Sequence, residues 1–264
     1  MRGTRLDVAL VERGFFPSRE KARAAVIAGE VRVDGVPAVK PGQEVGPDDV
    51  IEVESRARYV SRGGHKLEGA LDAFGLDVRG LRALDVGAST GGFTDCLLKR
   101  GAASVVAVDV GYGQLAWSLR TDDRVTVFER TNIRTADASV LGGPFDLVVC
   151  DVSFISLRTV LPRLVELAGE GGQVLALVKP QFEVGKGRVG KKGVVRDPAL
   201  HREVLDNVMS AVAALGWVVR GIASSPVKGP EGNIEFWVWA SAHGEQTSAC
   251  AADVVAEAHR RLGD

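Results

Sequence analysis

Four ionisable residues lie beside apolar segments, where a buried charge is costly unless it is paired. Asp151 and Lys179 each follow a short apolar run, Glu235 opens an aromatic run, and Lys66 opens an amphipathic stretch. A lysine held between carboxylates favours the deprotonated form of a nearby hydroxyl, and a carboxylate can take up the proton. Each residue alone would be explained by a surface ion pair. Together they are candidates for making a hydroxyl oxygen nucleophilic.

A glycine-rich turn follows the apolar segment 83–86 and precedes a helical pattern. Gly87 permits a tight turn, and Gly91 and Gly92 allow a ligand to approach the backbone at a helix N-terminus. An acid, Asp109, follows about 20 residues further on, where it can accept hydrogen bonds from ribose hydroxyls. The candidate cofactor-binding residues are Asp85, Gly87, Ala88, Ser89, Thr90, Gly91, Gly92, Phe93, Asp109, Asn132 and Asp151.

Three interpretations of this turn compete. A dinucleotide site needs a second glycine where this chain has Ser89, and that departure disfavours the close approach of a pyrophosphate. A turn without any ligand would also fit. The Asp-x-Gly-x-x-x-Gly-Gly pattern that begins at Asp85 resembles the S-adenosylmethionine motif of Rossmann-like methyltransferases, which we favour. Asn132 is a candidate to hydrogen-bond the adenine edge or is simply a turn residue, and the two interpretations carry equal weight.

From Lys66 onward, short apolar strands alternate with helical patterns. This alternation predicts an α/β fold of the Rossmann-like class, with a mostly parallel seven-stranded sheet covered on both faces. Strands are expected near 82–86, 104–110, 125–128, 145–150, 173–178, 217–222 and 235–240, and helices at 66–74, 92–100 and 198–215. Because ligands of such sheets lie beyond the carboxyl ends of the strands, we expect the candidate residues to line one crevice.

The pattern divides the chain into four parts. We expect a small α+β domain at residues 1–55, a basic linker at 56–65, the α/β domain at 66–243, and a tail at 244–264 that can form a terminal helix.

The composition excludes several classes of protein. A formal net charge of -1 argues against indiscriminate coating of nucleic acid. The three cysteines are widely spaced and predict neither a disulfide framework nor a zinc site, and no other metal-ligand spacing is found. The N-terminus has no apolar core of a signal peptide, and no apolar run approaches the ~18 residues of a membrane span. We therefore expect a cytoplasmic protein without a metal.

Two basic segments are candidates to contact RNA. Residues 4–53, from Arg5-Leu6-Asp7 through Ser18–Arg23 to Gly35, resemble the small RNA-binding domain of ribosomal protein S4. A second, glycine-rich segment at 186–193 follows Lys179 and would border the mouth of the site. A merely solvated helix face and a merely solvating loop are the alternatives. The candidate RNA-binding residues are Arg5, Arg19, Lys21, Arg23, Arg62, Lys186, Arg188, Lys191 and Lys192.

The order Lys66, Asp151, Lys179, Glu235 resembles the catalytic tetrad of the FtsJ-type ribose 2′-O-methyltransferases. Enzymes that methylate base amines usually carry an Asn/Asp-Pro-Pro-aromatic motif after the fourth strand, whereas this chain reads Asp151-Val152-Ser153-Phe154. A carbon-5 cytosine methyltransferase would need a nucleophilic cysteine, and Cys150 leaves that as a minor alternative.

The chain joins an S4-like segment to an FtsJ-like segment. This combination, together with the junction Ser61–Leu67 and the segments 182–185 and 230–235, is similar to the TlyA family over nearly the whole chain. The resemblance implies S-adenosylmethionine-dependent 2′-O-methylation of cytidine in 16S or 23S ribosomal RNA, or in both. It also implies an effect on sensitivity to antibiotics of the capreomycin type. A membrane-active haemolysin and a catalytically silent RNA-binding or ribosome assembly factor are the alternatives from other classes. Neither the target nucleotide nor the oligomeric state follows from the residues.

Overall fold

The computed structural model describes residues 3–27, 29–53, 58–185 and 187–263, and at Lys191 it describes the backbone only. The chain forms two compact units, Met1–Arg58 and Tyr59–Asp264. The division falls within the segment predicted to be a linker.

The smaller unit packs two helices against short strands around a core that includes Leu6, Leu10 and Val26. Its elements are β1 Thr4–Arg5, α1 Leu6–Glu12, α2 Arg19–Ile27, β2 Val31–Val33, β3 Val36–Pro37, β4 Glu44–Val45 and β5 Ile51–Val53. Ser18 caps α2, because its hydroxyl accepts from the backbone N–H of Lys21 at 3.3 Å.

The larger unit is built on a seven-stranded sheet. Its strands are β6 Arg82–Val86, β7 Ser104–Val108, β8 Val125–Phe128, β9 Leu147–Cys150, β10 Gln173–Val178, β11 Val218–Ser224 and β12 Phe236–Ser241, in the spatial order β11-β12-β10-β9-β6-β7-β8. Strand β12 is antiparallel to both of its neighbours, whereas the ladders joining β10, β9, β6, β7 and β8 are parallel. The predicted α/β class and mostly parallel sheet are confirmed.

Helices cover both faces of this sheet. They are α3 Gly63–Phe74, α4 Gly92–Lys99, α5 Trp117–Arg120, α6 Ala138–Leu141, α7 Leu157–Ala168, α8 Pro180–Glu183, α9 Pro198–Ala214 and α10 Ala251–Leu262. Helix α3 begins three residues before its predicted start at Lys66. Helix α10 buries Val255 and Ala258 and packs against α9 and β11, so the tail belongs to the larger unit.

The sequence analysis placed no helix between β9 and β10, where the structure has α7. Pro162 lies inside this helix and interrupts the pattern that would reveal it, because proline normally breaks a helix interior. The first turn is held by Glu183, whose carboxylate accepts from the backbone N–H of Leu157 at 2.5 Å and from the hydroxyl of Ser156 at 2.7 Å. The tertiary contact therefore compensates for a weak local signal.

No helix among the described residues is both long and apolar enough to cross a membrane.

We predict that Leu164→Ala destabilises the larger unit by about 2–5 kcal/mol, because it leaves a cavity under the sheet. Leu164 lies on α7 and is fully buried in the core. Chemical denaturation of both proteins measures the difference. The matched control is Val140→Ala on α6, which is 64% exposed and should change stability by no more than about 0.5 kcal/mol. Equal effects of the two substitutions would contradict the assignment of Leu164 to the core.

Candidate active site

The register of the central strands brings the ends of three apolar segments to one edge of the sheet. Val86 lies opposite Cys150, and Ala176 lies opposite the same cysteine on the other side. The residues that follow these strands, Gly87, Asp151 and Lys179, therefore gather at the carboxyl edge. The backbone N–H of Asp151 also donates to the carbonyl oxygen of Val86 at 2.9 Å, which fixes the acid beside the glycine turn.

Glu235 reaches the same edge because β12 runs antiparallel to β10. Phe236, the first residue of β12, pairs with Val178, the last residue of β10. The Glu235 carboxylate is fully buried and accepts from the Lys66 ammonium group at 2.6 Å. Burial raises the pKa of Glu235, and the adjacent Lys66 opposes that rise. The pair spans α3 and the start of β12, so the first helix of the unit is tied to its last strand.

Lys179 forms the second ion pair of the site. Its ammonium group contacts the carboxylate of Asp151 and donates to the hydroxyl of Ser153 at 3.0 Å. The side chains of Lys179 and Asp151 are 11% and 20% exposed. This pair is therefore more exposed to solvent than the pair formed by Lys66 and Glu235. The four predicted catalytic residues thus form two ion pairs at one edge of the sheet.

The glycines of the turn leave room for neighbouring backbone and side chains. Gly87 has a φ of +86°, and an added Cβ atom would lie 2.5 Å from the carbonyl oxygen of Asp151. Gly91 has a φ of +95°, and its Cβ atom would lie 2.3 Å from the Leu119 side chain. Positive φ and close packing both require glycine at these two positions.

Asp109 organises the turn from the next strand. One carboxylate oxygen accepts from the backbone N–H of Ser89 at 2.7 Å, and the other accepts from the backbone N–H of Gly111 at 2.7 Å. An ionised carboxylate has about four acceptor positions, so it can still accept from a ligand. Ser89, which replaces the glycine of a dinucleotide motif, has a φ of +48°.

Asp85 is fully buried beneath the turn. One of its oxygens accepts from both the N–H and the hydroxyl of Thr94, at 2.9 and 2.7 Å, and the other has no hydrogen-bond partner. The pKa of Asp85 is raised to about 7. Burial is the largest cause, the Thr94 bonds oppose the rise, and the charges of Asp151 and Asp109 contribute to it.

Two cavities meet at Gly87, Ser89 and Asp151. The larger cavity, of about 430 Å³, is lined by Asp109 and Asn132 and by apolar side chains such as Ile133. The smaller cavity has a volume of about 360 Å³. It is lined by Ser61, Arg62, Gly63, Lys66, Gly87, Ala88, Ser89, Thr90, Gly92, Phe93, Asp151, Lys228 and Pro230. A ligand in the larger cavity would therefore lie next to a ligand in the smaller one.

Asn132 lines the larger cavity and also forms a turn. Its side-chain oxygen accepts from the backbone N–H of Arg134 at 3.1 Å. Both interpretations of this residue fit the geometry. The sequence analysis did not predict two further lining residues, Gln114 and Phe154. Phe154 is 92% exposed with a φ of +65°, and an aromatic residue three positions after the acid at the end of β9 was the sequence signal that could have identified it.

The basic candidates fall into separate groups. In the smaller unit, the guanidinium groups of Arg5 and Arg19 both bond to the buried carboxylate of Asp7, at 3.0 and 3.1 Å. Lys21 and Arg23 are exposed on α2. Asp7 therefore fixes two of the four basic side chains predicted on this unit.

The basic candidates of the larger unit also differ in their surroundings. Arg62 lines the smaller cavity and donates to the carbonyl oxygen of Lys228 at 3.1 Å. Arg188 forms a two-bond ion pair with Glu203 on α9, at 2.5 and 2.6 Å. Lys192 is exposed. Lys186 and the side chain of Lys191 lie outside the described residues, and no described residue of segment 187–193 lines either cavity.

Cys150 does not have the surroundings of a nucleophile. It is fully buried in β9, and burial raises the pKa of its thiol to about 12. A thiolate is the reactive form of cysteine, so this site disfavours carbon-5 methylation. Among the described residues, no group of three or more His, Cys, Asp or Glu side chains could hold a metal ion.

This fold and this site define a methyltransferase of the FtsJ-like class. The family model described as FtsJ-like methyltransferase matches residues 59–242, and the model of the S4 domain matches residues 4–51. The class rests on the larger unit, and the second match identifies the smaller unit as an S4 domain.

Relatives and solved structures narrow the class to a family. A protein of Mycobacterium tuberculosis named 16S/23S rRNA (cytidine-2′-O)-methyltransferase TlyA is 54% identical over 90% of this chain and 90% of its own length. Hemolysin A of Brachyspira hyodysenteriae is 40% identical over 88% and 97%. A solved structure from Streptococcus thermophilus, named as a hemolysin, matches at 42% identity and a TM-score of 0.76, over 99% of this chain and 97% of that one. The chain belongs to the TlyA family.

We predict that Asp85→Asn alters the pH dependence of stability. Because the pKa of Asp85 is higher in the folded protein than in the unfolded chain, its contribution to stability is complete at low pH and is lost as pH rises toward about 7. Asparagine keeps the oxygen that accepts from Thr94 and does not ionise. The stability of the variant relative to the wild type should therefore increase between pH 5 and pH 8. Chemical denaturation across this range measures it, and a constant difference would contradict the raised pKa.

Proposed function

We propose that this protein is an S-adenosylmethionine-dependent ribosomal RNA methyltransferase that transfers a methyl group to the 2′-hydroxyl of a cytidine. The observation that carries this proposal is the junction of two cavities at Gly87, Ser89 and Asp151, with two lysine–carboxylate pairs beside it. One cavity suits a nucleoside cofactor, and the other suits an RNA nucleotide. The names of the related proteins supply the nucleotide, cytidine, and the class of RNA.

The larger cavity fits S-adenosylmethionine. Asp109 has acceptor capacity for ribose hydroxyls, and apolar side chains such as Val108 and Ile133 provide the walls that an adenine needs. Asp109 and Asp151 both line this cavity, and their carboxyl groups suit a ligand with a positive sulfonium and an ammonium group. Of the turn residues, Gly87 and Ser89 line this cavity and would contact the methionine part, and Asn132 would lie near the adenine.

The two ion pairs have different roles in activating the ribose hydroxyl. When bound, S-adenosylmethionine supplies a methyl group on a sulfonium, which is attacked in line by an oxygen nucleophile. Lys179, held by Asp151 and Ser153, stabilises the negative charge that develops on the ribose oxygen. Asp151 lines both cavities and can accept the proton. Lys66, buried against Glu235, lines the smaller cavity and positions the nucleotide from the opposite side.

The basic residues bring the RNA to this site. Arg5, Arg19, Lys21 and Arg23 of the S4 domain contact phosphates and read RNA shape more than sequence. In the larger unit, Arg62 borders the nucleotide cavity. The remaining candidates, Lys186, Arg188, Lys191 and Lys192, form a second basic segment. The substrate would be a ribosomal subunit, which would place the protein in the cytoplasm.

We predict that the purified protein transfers labelled methyl groups to isolated 30S or 50S ribosomal subunits, and that Lys179→Ala lowers the rate by about 10²–10⁴-fold. Mass spectrometry of the digested RNA locates the label. The matched control is Lys99→Ala on α4, because Lys99 pairs with Asp95 of its own helix, at 2.9 Å, and not with an acid of the site. Label on a base would overturn the proposed role of the ion pairs. Full activity of Lys179→Ala would overturn the role of that lysine.

Related proteins with hemolysin names make one further control informative. Liposomes that retain a fluorescent dye in the presence of the same protein preparation would support the methyltransferase proposal, and rapid leakage would support a membrane-active protein instead.

We predict that Asp109→Ala weakens binding of S-adenosylmethionine by about 10–100-fold, because it removes a charged acceptor and leaves the backbone N–H of Ser89 without its partner. Isothermal titration calorimetry measures the dissociation constant directly and without turnover. Asp123→Ala is the control, since Asp123 is exposed and lines neither cavity. Unchanged affinity of Asp109→Ala would show that the cofactor lies elsewhere.

A further inference from the structure

Two segments near the active site are joined by one buried amide. We name residues 187–196 the basic loop and residues 229–235 the Glu235 loop. Asn233, in the Glu235 loop, is fully buried. Its side-chain oxygen accepts from the backbone N–H of Val195 at 2.9 Å, and its side-chain nitrogen donates to the carbonyl oxygen of Gly193 at 2.9 Å. Both ends of the amide therefore hold the backbone of the basic loop.

The backbone of Asn233 is connected to Glu235. The backbone N–H of Gly229 donates to the carbonyl oxygen of Asn233 at 2.9 Å, which closes the Glu235 loop on itself. Gly229 packs against the Glu235 carboxylate so closely that an added Cβ atom would lie 2.5 Å from one of its oxygens. The backbone carbonyl of Glu235 also accepts from the N–H of Ser225 at 2.8 Å. A shift of Asn233 would therefore move the carboxylate that holds Lys66.

The basic loop is also fixed from its other side. The carbonyl oxygen of Val195 lies 3.1 Å from Nε2 of His201 on α9. Because a carbonyl can only accept, Nε2 carries the hydrogen, and Nδ1 of His201 then accepts from Nε2 of His259 on α10 at 2.9 Å. Burial lowers the pKa of His201 to about 4, so the ring is neutral at neutral pH and keeps this arrangement. The peptide group of Val195 is thus held by Asn233 on one side and by His201 on the other.

The basic loop carries positive charges that suit contact with RNA phosphates. The loop carries the exposed Arg188, Lys192 and Arg196, yet none of its described residues lines either cavity. The loop therefore has the charge to contact RNA without lining either cavity. Phosphate contacts fix the position of a protein on RNA and carry little sequence information.

We propose that Asn233 is a positioning residue that couples RNA contact by the basic loop to the placement of Glu235 and Lys66 at the site of methyl transfer. This inference rests on the proposed function, because it requires RNA as the substrate. Loop residues would contact phosphates, and the Asn233 amide would transmit the resulting loop position to the Glu235 loop. Recognition at a distance from the nucleotide would then be required for full activity.

The test is a double-mutant cycle between Asn233→Ala and Lys192→Ala, measured as the single-turnover methylation rate at a saturating concentration of cofactor. Asn233→Ala should lower the rate by about tenfold or more, because misplacement by about 1 Å can cost that much. It should leave the dissociation constant of S-adenosylmethionine within about twofold of the wild-type value, since the residue lines neither cavity. Lys192→Ala should lower the rate in the wild-type background and have little effect in the Asn233→Ala background.

Two controls separate positioning from loss of folded protein. Gln173→Ala removes the acceptor of the Trp239 indole N–H, a bond of 2.8 Å at the start of β10 and away from Lys179. It should change stability without changing the rate per folded molecule. If Asn233→Ala does not fold, Asn233→Asp takes its place. The aspartate keeps the acceptor for Val195 and turns a carboxylate oxygen toward the Gly193 carbonyl, so it should reduce the rate and lose its dependence on Lys192.

The outcomes are distinguishable. A wild-type protein that labels ribose and an Asn233 variant with the wild-type rate would overturn this inference and leave the proposed function intact. Strictly multiplicative effects of the two substitutions would also overturn it, because the loop and Glu235 would then act independently. A wild-type protein that labels neither subunit would overturn the proposed function and this inference with it.

Discussion

The site depends on the position of β12, the one strand that runs against its neighbours in the larger sheet. Parallel strands bring only their carboxyl ends to the edge where a ligand lies. An antiparallel strand brings its beginning to that edge, so the residue just before β12, Glu235, lies beside Lys179, the residue just after β10. The buried ion pair between Glu235 and Lys66 then ties the last strand to α3. If β12 ran parallel to β10, Glu235 would lie at the opposite edge of the sheet and the two ion pairs could not share one edge.

Burial decides how these charges behave. A buried ion pair often contributes little net stability, because desolvation offsets the attraction. Removing one partner is nevertheless costly, because it leaves an uncompensated charge. The pair formed by Lys66 and Glu235 is therefore better understood as an element that fixes geometry. The neighbouring pair, Lys179 and Asp151, is more exposed, and Asp151 lines both cavities. Two similar pairs thus serve different ends because their solvent exposure differs.

The glycine turn connects the larger cavity to the predicted catalytic residues. Gly87 contacts the backbone of Asp151, and Asp109 holds Ser89, so the turn cannot move without moving the acid that lines both cavities. Asp85 lies beneath the turn and adds a carboxyl group whose protonation follows from burial. These contacts join the two cavities through one turn and one acid.

The sequence by itself determined much of this protein. Apolar strand patterns and the glycine spacing after Asp85 predicted the sheet and the cofactor turn, because local periodicity and glycine's conformational freedom are encoded residue by residue. The order of Lys66, Asp151, Lys179 and Glu235 indicated the FtsJ-like class, and its junction with the S4-like domain indicated the TlyA family; the related proteins confirm both. Helix α7 was missed, because Pro162 obscures it and Glu183, remote in sequence, holds its first turn. Only the tertiary structure decided which lysine pairs with which acid, that Asp7 holds both Arg5 and Arg19, and that Asn233 joins two loops. Those contacts are made between residues far apart in the chain, and strand register and burial set them.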